Sequence, residues 1–575
     1  MSQEDSRIPP VGRDAQVTRF SRRDLGRRAA GLGLSVPLVR GLTSAAGAGA
    51  LAIGRMSTAG AAQEGTGGTV FIAQTGGDAG IGNPILVSGT DNYPFWWAFS
   101  RLVTYDDTGT PIPDLADSWT YNEAGTELTF TLNPNAKWHD GTPVTSADVL
   151  FTFDKVKDPA TESDRLSRLQ VAGEFAAWAA PDPQTVVLTI KEPFAPFLFA
   201  LSGIGIIPKH LLEGSADLNT DPFNTSPVGS GPFRITEWEV GVKTVYERNT
   251  DYHRDLAAAD GMVEVFYEDV QPALASLDAG EEMDIVFTPP ESQAAYEDNP
   301  DFMLLRYVFY TSITLSFNFK HPWLQDIKVR QGIRYAIDKD RLAEVVTKGR
   351  NVRADNQFAD TGPLDRYNDY SLPKDEYNIE QANALLDEAG WVRSGDWREK
   401  DGERFSLPIL TYTGFQEYVD GQVILQEMLA EVGIELKPEV VDVTTLADRW
   451  ADENDDPLTR PLSLEEYPHP YEQDPDLYNE LHTASIPPNG NNYNYVSDPE
   501  IDRLIEEGRR ETDDEVRIGI YHQLDARRKE LAIVVPLYLA TDGFVFSRRV
   551  GGIPETSPSS RWFLRCCAGM LFKNE

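Results

Sequence analysis

Cysteine is almost absent from this sequence of 575 residues. The only two, Cys566 and Cys567, are adjacent and close to the C-terminus. A neighbouring pair cannot staple distant parts of a chain, so no disulfide framework is expected and no thiol nucleophile stands out. Histidine is scarce too. His139, His210, His253, His321, His469, His482 and His522 are isolated, with none of the spacing that a metal site uses. No G-x-S-x-G elbow, no H-E-x-x-H helix and no G-x-x-x-x-G-K-[ST] loop occurs. No catalytic residue, metal or cofactor is assigned. Positive charge is in deficit: 52 Lys and Arg face 91 Asp and Glu, a net charge of -39. Such a surface repels phosphate backbones, which excludes nucleic acid as a partner. Past residue 62, no run approaches the ~20 apolar residues that a membrane span needs.

The charge deficit is not uniform. Residues 1–62 hold nine arginines, no lysine and only four acids, Glu4, Asp5, Asp14 and Asp24. An Arg-bearing stretch ends in Ser21-Arg22-Arg23-Asp24-Leu25. A weakly apolar run from Ala29 to Ile53 follows, then the small-residue stretch Ser57-Thr58-Ala59-Gly60-Ala61-Ala62. This layout predicts an export signal over residues 1–62, cut near Ala59–Ala62, and Arg22-Arg23 points to the twin-arginine route. Pro37 and Arg40 make the run a poor spanning helix. No cysteine stands at the junction to anchor a lipoprotein. The mature body is therefore expected outside the cytoplasm, periplasmic or at the cell surface.

A body of roughly 510 residues is too long for one core and argues for several lobes. Alternation predicts strands at Val70–Ala73, Leu128–Leu132, Thr185–Ile190, Val263–Glu268 and Ile313–Phe319, and a hairpin from Pro232–Glu239 and Lys243–Arg248. Thr145 with Asp148 resembles a capping box and opens a helix through Val156. Asp326–Lys348 reads as one helix. Asn378 caps another that stops at Gly390, and Val423–Val432 is a helix stopped by Gly433 before a strand at Ile434–Lys437. Ser497-x-x-Glu500 and Thr512-x-x-Glu515 read as further capping boxes, and Val534–Leu539 as a late strand. Strands early, helix–strand alternation later and strand again at the end predict α/β lobes that the chain enters more than once.

What the chain has in abundance is aromatic residues: 11 Trp, 22 Tyr and 26 Phe. They concentrate at Tyr93–Phe99 and Tyr467–Tyr478. Large rigid rings with a few polar groups suit a binding cleft.

Five blocks, in order, carry a family resemblance. They are Leu128–Leu132 with Trp138-His139-Asp140-Gly141-Thr142-Pro143-Val144-Thr145-Ser146-Ala147-Asp148-Val149; Pro227-Val228-Gly229-Ser230-Gly231-Pro232-Phe233; Val329–Lys339; Leu385–Trp391; and Asn494-Tyr495 with Ile501–Ile505. Over about Thr69 to Ile553 the sequence resembles the peptide/nickel family of extracytoplasmic solute-binding proteins that feed ABC importers, of the dipeptide- and oligopeptide-binding type. The blocks themselves read as scaffold. Gly141 supplies a turn, and Gly229 and Gly231 permit close backbone approach.

The resemblance implies an α/β fold: a two-lobed periplasmic-binding-protein clamp with discontinuous lobes and an extra N-terminal domain. The divisions read as 63–104 for the first segment of lobe I, 105–222 for the extra domain, 223–308 for the second segment of lobe I, 309–535 for lobe II and 536–575 for the C-terminal segment of lobe I with the tail. Crossings between lobes are placed near Arg306–Phe319 and Val534–Leu539. The implied function is capture of a short peptide between closing lobes and delivery to the membrane permease of an ABC importer, with a monomer expected and no enzymatic activity. In peptide-binding members an Asp in a W-x-(A/G)-D-x-x-(D/E)-P segment holds the α-amino group. Here Asp474-Pro475 matches the end of that segment, Tyr471 stands at the place of the Asp, and Glu472 is beside it. The candidate ligand contacts are Asp91, Tyr93, Trp96, Trp97, Phe415, Tyr467, Tyr471, Glu472 and Asp474. The tryptophans would stack on ring-bearing or apolar parts of a ligand, and Glu472 or Asp474 would pair with a positive group. The departure at Tyr471 keeps an oligosaccharide, an opine or a metal chelate open as ligand. A sensory ligand-presenting module and a secreted hydrolase are the remaining alternatives.

Overall fold

Two strands are far longer than their sequence patterns announce. In the computed structural model, Phe302–Phe317 and Val534–Ser547 run antiparallel and pair along nearly their whole length. The structure describes residues 67–573, with the exception of 76–77, 79, 87–95, 107–108, 281, 349, 351, 361, 414–415, 443–444, 447–448, 450–458, 467–473 and 554–570. The export segment 1–62 and the Cys566-Cys567 pair lie outside the described residues.

The two long strands sit in the middle of an eleven-stranded sheet. On one side the order runs outward through Ile285–Thr288, Thr69–Thr75, Gly261–Tyr267, Lys243–Arg248 and Phe233–Glu239. On the other side it runs through Leu462–Glu466, Ser406–Tyr412 and Glu435–Val441. The ladder between the long strands is continuous from Phe302↔Ser547 to Val308↔Thr541. It breaks there and resumes at Ser312↔Leu539. The break divides one sheet into two lobes, each with its own core. Val70, Ile72, Ile285, Leu305, Phe544 and Phe546 lie in the first; Ile313, Leu315, Phe317, Leu407, Ile409, Leu464 and Val535 lie in the second.

A third unit hangs on the first lobe. Four antiparallel strands, in the order Ala116–Tyr121, Glu127–Leu132, Thr185–Thr189 and Ala177–Asp182, are covered by the helix Ser146–Lys157. Leu128, Phe130, Val186 and Leu188 bury against Val149, Phe153 and Val156 of that helix. The same core takes in Ile85, Leu86, Ala98, Phe99, Leu102 and Val103, residues N-terminal to the division read at 105.

Local chemistry explains where the sequence reading was adjusted. The capping box is present: the Asp148 carboxylate accepts the Thr145 N–H at 2.8 Å. The helix read as Asp326–Lys348 is two helices, Ile327–Tyr335 and Lys339–Thr347, because Asp338 turns to accept the Arg341 N–H and caps the second. The caps expected at Ser497 and Thr512 belong to the following residues, Asp498 and Asp513. An Asp caps at least as well as Ser or Thr, and Pro499 fits the first helical position without losing a bond.

Two of the resembling blocks dock on each other and fix the third unit to the first lobe. The His139 N–H donates to the Gly229 carbonyl at 2.8 Å. The Gly229 N–H donates to His139 Nδ1 at 3.3 Å, so Nε2 carries the ring hydrogen and donates to the Gly231 carbonyl at 3.1 Å. A Cβ on Gly229 would stand 1.7 Å from the Ala98 carbonyl oxygen, and one on Gly231 2.5 Å from that of Trp97. Nearby, buried Asp114 accepts the Arg101 N–H at 2.8 Å and lies 3.6 Å from His253, while its carbonyl accepts both Nε and Nη2 of Arg254. Burial alone would raise the Asp114 pKa; His253 and Arg101 outweigh it and hold the carboxyl below its usual range.

The last described residues return to the first lobe. Leu571 is fully buried there, Lys573 donates its N–H to the Gly67 carbonyl at 3.1 Å, and its ammonium lies 3.0 Å from buried Asp284.

Gly229→Ala should lower stability by at least about 3 kcal/mol, because backbone leaves no room for the methyl group; the urea unfolding midpoint checks this. Burial pushes the His139 pKa down to about 4. The unfolded chain therefore binds the extra proton between about pH 6.5 and pH 4, and stability falls as pH drops through that window. The loss should be on the order of 3 kcal/mol, and it should be missing from the stability profile of His139→Gln measured by denaturation from pH 7.5 to 4.

Candidate ligand-binding cleft

Parallel strands leave their carboxyl ends as natural ligand sites, since the following loops and helix N-termini gather there. Both lobes of this protein have such an end. In the first, Thr69–Thr75 runs parallel with Gly261–Tyr267 and with Ile285–Thr288. In the second, Ser406–Tyr412 runs parallel with Glu435–Val441 and with Leu462–Glu466. The registers place these ends face to face. Thr288 pairs with Gly543, which pairs with Arg306, whereas Glu466 pairs with Ile313, which pairs with Tyr538. Only the crossing, residues 307–312 and 539–542, separates them. The strand without extra residues sets its length: five steps from Tyr538 to Gly543, at ~3.3 Å per residue, make a floor of roughly 17 Å.

The second lobe's wall carries a polar layer. Ser312, Thr314 and Ser316 are buried and alternate with Ile313, Leu315 and Phe317 of the core. Across the ladder, Glu465 pairs with Thr314 and Ser463 with Ser316. The Ser463 hydroxyl donates to the Glu465 carboxylate at 2.6 Å. Burial pushes the Glu465 pKa up to about 7, against hydrogen bonds from Ser463 and Ser316 and the charge of Arg460. Tyr412 ends its strand edge-on to Tyr418, with ring centroids 5.5 Å apart. Burial, with Glu466 and Glu465 nearby, holds the Tyr412 phenol well above its usual range, so it remains a neutral hydroxyl.

The third unit also reaches the second lobe. The Ala195 N–H donates to the Arg509 carbonyl at 2.7 Å. The Arg509 guanidinium lies 4.8 Å from the Phe194 ring and 4.1 Å from the Tyr478 ring, and pairs with Asp476 at 3.2 Å.

Of the candidate contacts, Asp91, Tyr93, Phe415, Tyr467, Tyr471 and Glu472 lie outside the described residues. In sequence, Phe415 follows the end of Ser406–Tyr412, and Tyr467, Tyr471 and Glu472 follow the end of Leu462–Glu466. Trp96 is 8% exposed, with the Arg101 guanidinium 4.2 Å above its ring. Trp97 is placed differently from the expectation. It is 1% exposed and packs edge-on to Tyr246 at 5.2 Å, with Phe233 beyond, so its ring is core and not a stacking platform. Asp474 is placed differently as well. It is buried, and both its oxygens are taken by Arg517 at 2.8 and 2.9 Å, which leaves it no place for a ligand cation. An acid in an acidic segment reads as a ligand contact; its partner, 43 residues away on the helix Asp514–Leu531, carried no signal in the pattern. Glu465 stands in sequence among the acids that crowd 465–474 without being a candidate contact, and the alternation Ser-x-Thr-x-Ser over 312–316 is visible without being one either. Alternation gives a polar face without saying whether water or protein covers it. Among the described residues, no group of three or more His, Cys, Asp or Glu could hold a metal ion, and no helix is long and apolar enough to cross a membrane.

Two α/β lobes joined by a double strand crossing, with a third unit on one of them, define the clamp architecture of solute-binding proteins. This chain belongs to the bacterial extracellular solute-binding proteins, family 5, whose sequence profile matches residues 110–498. It is 27% identical over 488 residues to the oligopeptide-binding protein AppA of Bacillus subtilis, covering 78% of this chain and 84% of that one. The structure of AppA in complex with a nonapeptide superposes with a TM-score of 0.69 at 24% identity, covering 89% of this chain and 100% of AppA. NikZ of Campylobacter jejuni, in complex with Ni(L-His), gives 0.69 at 24% identity, over 86% and 98%. AgaA of A. tumefaciens R10, in complex with agropinic acid, gives 0.65 at 26% identity, over 88% and 97%. Family and fold are those of the binding proteins of ABC importers, not of enzymes.

Removing one partner of the buried pair exposes its role. Arg517→Leu should cost about 3–5 kcal/mol, since Asp474 is left charged and buried. Adding Asp474→Leu should recover part of that loss; equilibrium unfolding of both variants checks the pair.

Proposed function

We propose that the cleft takes a short peptide, laid along the crossing between the two carboxyl ends, and hands it to the permease of an ABC importer. The observation that carries this reading is the facing pair of strand ends over a floor of roughly 17 Å, about the length of five extended residues. The likeness to AppA over most of both chains supports it. Binding by such a clamp follows from closure: the lobes turn about the broken ladder at 308–312 and 539–541, and a ligand that touches both walls stabilises the closed form. The buried hydroxyls of Ser312, Thr314 and Ser316 beside the crossing suit an amide-rich ligand. Asp91, Tyr93, Trp96, Phe415, Tyr467, Tyr471 and Glu472 are our candidates for its contacts. We assign residues 1–62 to twin-arginine export and the mature chain to the extracytoplasmic side as a monomer. The lobe divisions at 105, 223, 309 and 536 belong to the same proposal.

One observation favours a second reading. Tyr471 replaces the acid expected to grip a free amine, and Asp474 is engaged by Arg517. A ligand without an α-amino group, such as a metal chelate or an opine of the kind held by NikZ and AgaA, suits that change.

Native mass spectrometry of the protein purified without refolding separates the two. Release of heterogeneous short peptides on denaturation is the expected result, and a single chelate or opine would replace the peptide reading by the second. Any true ligand at 100 times its Kd should raise the unfolding free energy by about 2.7 kcal/mol, read as a shift in thermal midpoint.

A further inference from the structure

Gln357 stands out among the buried polar side chains. It is 2% exposed, and neither its Nε2 nor its Oε1 has a hydrogen-bond partner. Among the described residues it is the one side chain with both ends of its polar group buried and unpaired. Other buried glutamines are engaged: Gln293 donates to the Thr288 carbonyl at 3.1 Å and accepts from Arg306 Nε at 2.8 Å, and Gln422 donates to the Ile409 carbonyl at 2.8 Å. Native proteins rarely leave such groups unpaired, because the water lost on burial is not replaced.

The backbone around Gln357 is held firmly, so its position is no accident of a loose loop. Before it, Val352 pairs with Leu539 at the crossing, the Ala354 N–H donates to the Leu537 carbonyl, and the Lys339 ammonium donates to the Ala354 carbonyl at 3.1 Å. After it, the buried Asn368 amide grips the chain: it accepts the Phe358 N–H at 3.2 Å and donates to the Phe358 and Ala359 carbonyls at 3.2 and 3.3 Å. Ala354 and Ala359, on either side of Gln357, form one small apolar cluster with Val308 and Leu539, the two residues that bound the break in the long ladder. Ser312, which pairs with Leu539, is fully buried with an unpaired hydroxyl of its own. Gln357 thus lies between two residues that pack against the ends of the crossing, and Ser312 lies at one of those ends.

We infer that Gln357 is a specificity-determining residue of the cleft, its amide kept for an amide group of the ligand. Nε2 donates to a ligand carbonyl and Oε1 accepts a ligand N–H, a match to one peptide unit. This rests on the peptide reading of the cleft. Preorganisation suits the arrangement: no internal hydrogen bond of the protein competes with a ligand for either end of the amide.

The test uses Gln357→Met, which keeps length and volume but removes both polar ends. It is made in the full chain with tri- to hexaalanine as probes, each beside an analogue in which one amide is replaced by an ester. We expect the ligand-free variant to be as stable as the parent or more so, because an unpaired group has gone. Peptide binding by calorimetry should weaken roughly ten- to a hundredfold. One ester analogue should bind the parent more weakly than its peptide, and the variant should not distinguish the two. A ligand-free variant that melts markedly lower would show that the amide serves the fold, and would overturn the inference. Equal peptide affinity in parent and variant would overturn it while leaving the peptide reading in place. A parent that binds none of the peptides would remove both together.

Discussion

The broken ladder between Phe302–Phe317 and Val534–Ser547 is the constraint on which the rest depends. Each strand belongs to both lobes, so neither lobe can complete its sheet without the other. The antiparallel pairing also decides where ligand can go. It points the parallel strands of one lobe toward those of the other, and their carboxyl ends meet over the few residues where the ladder is interrupted. An uninterrupted ladder would stiffen that place. A complete separation would leave two lobes with no shared axis. The interruption keeps the axis and loosens the joint.

Around that axis the third unit acts as an outrigger. It is fixed to the first lobe by His139 on Gly229 and Gly231 and by Asp114 among Arg101, His253 and Arg254, all short contacts in buried surroundings. Its contacts with the second lobe are of another kind: a backbone bond from Ala195, an exposed ion pair of Glu192 with Arg510 at 3.6 Å, and a guanidinium lying between a ring of each side. Opening at the ladder must separate the second contact and not the first. The unequal strength of the two attachments determines which parts travel together.

Much of the fold could be read from residues alone. The capped helix after Thr145, the hairpin around Val240-Gly241-Val242 and the helix between Asn378 and Gly390 follow from caps, turn residues and alternation acting over a few positions. The long strands were read at half their length. Residues 302–308 and 540–547 gain their extended form from pairing with partners more than 200 positions away, which no local pattern announces. Of the candidate contacts that the structure describes, two are claimed by the fold for other work. Trp97 carries the aromatic signal of a cleft, yet Tyr246 and Phe233 claim it for the core. Asp474 carries the charge of a contact, yet Arg517 neutralises it. Glu465 was hidden by the opposite effect, since a carboxyl within a strand reads as an exposed one until its neighbours are known.

Lys573 reaches back to Gly67 and to Asp284, beside the first strand of the sheet. The seat of Thr69–Thr75 is thereby finished by residues far along the chain from it. Asp284 is fully buried between two cations, Lys573 at 3.0 Å and Arg549 at 3.2 Å, so loss of Lys573 leaves that carboxylate with Arg549 alone. One distant residue thus answers both a backbone carbonyl at the start of the first strand and a buried charge beside it.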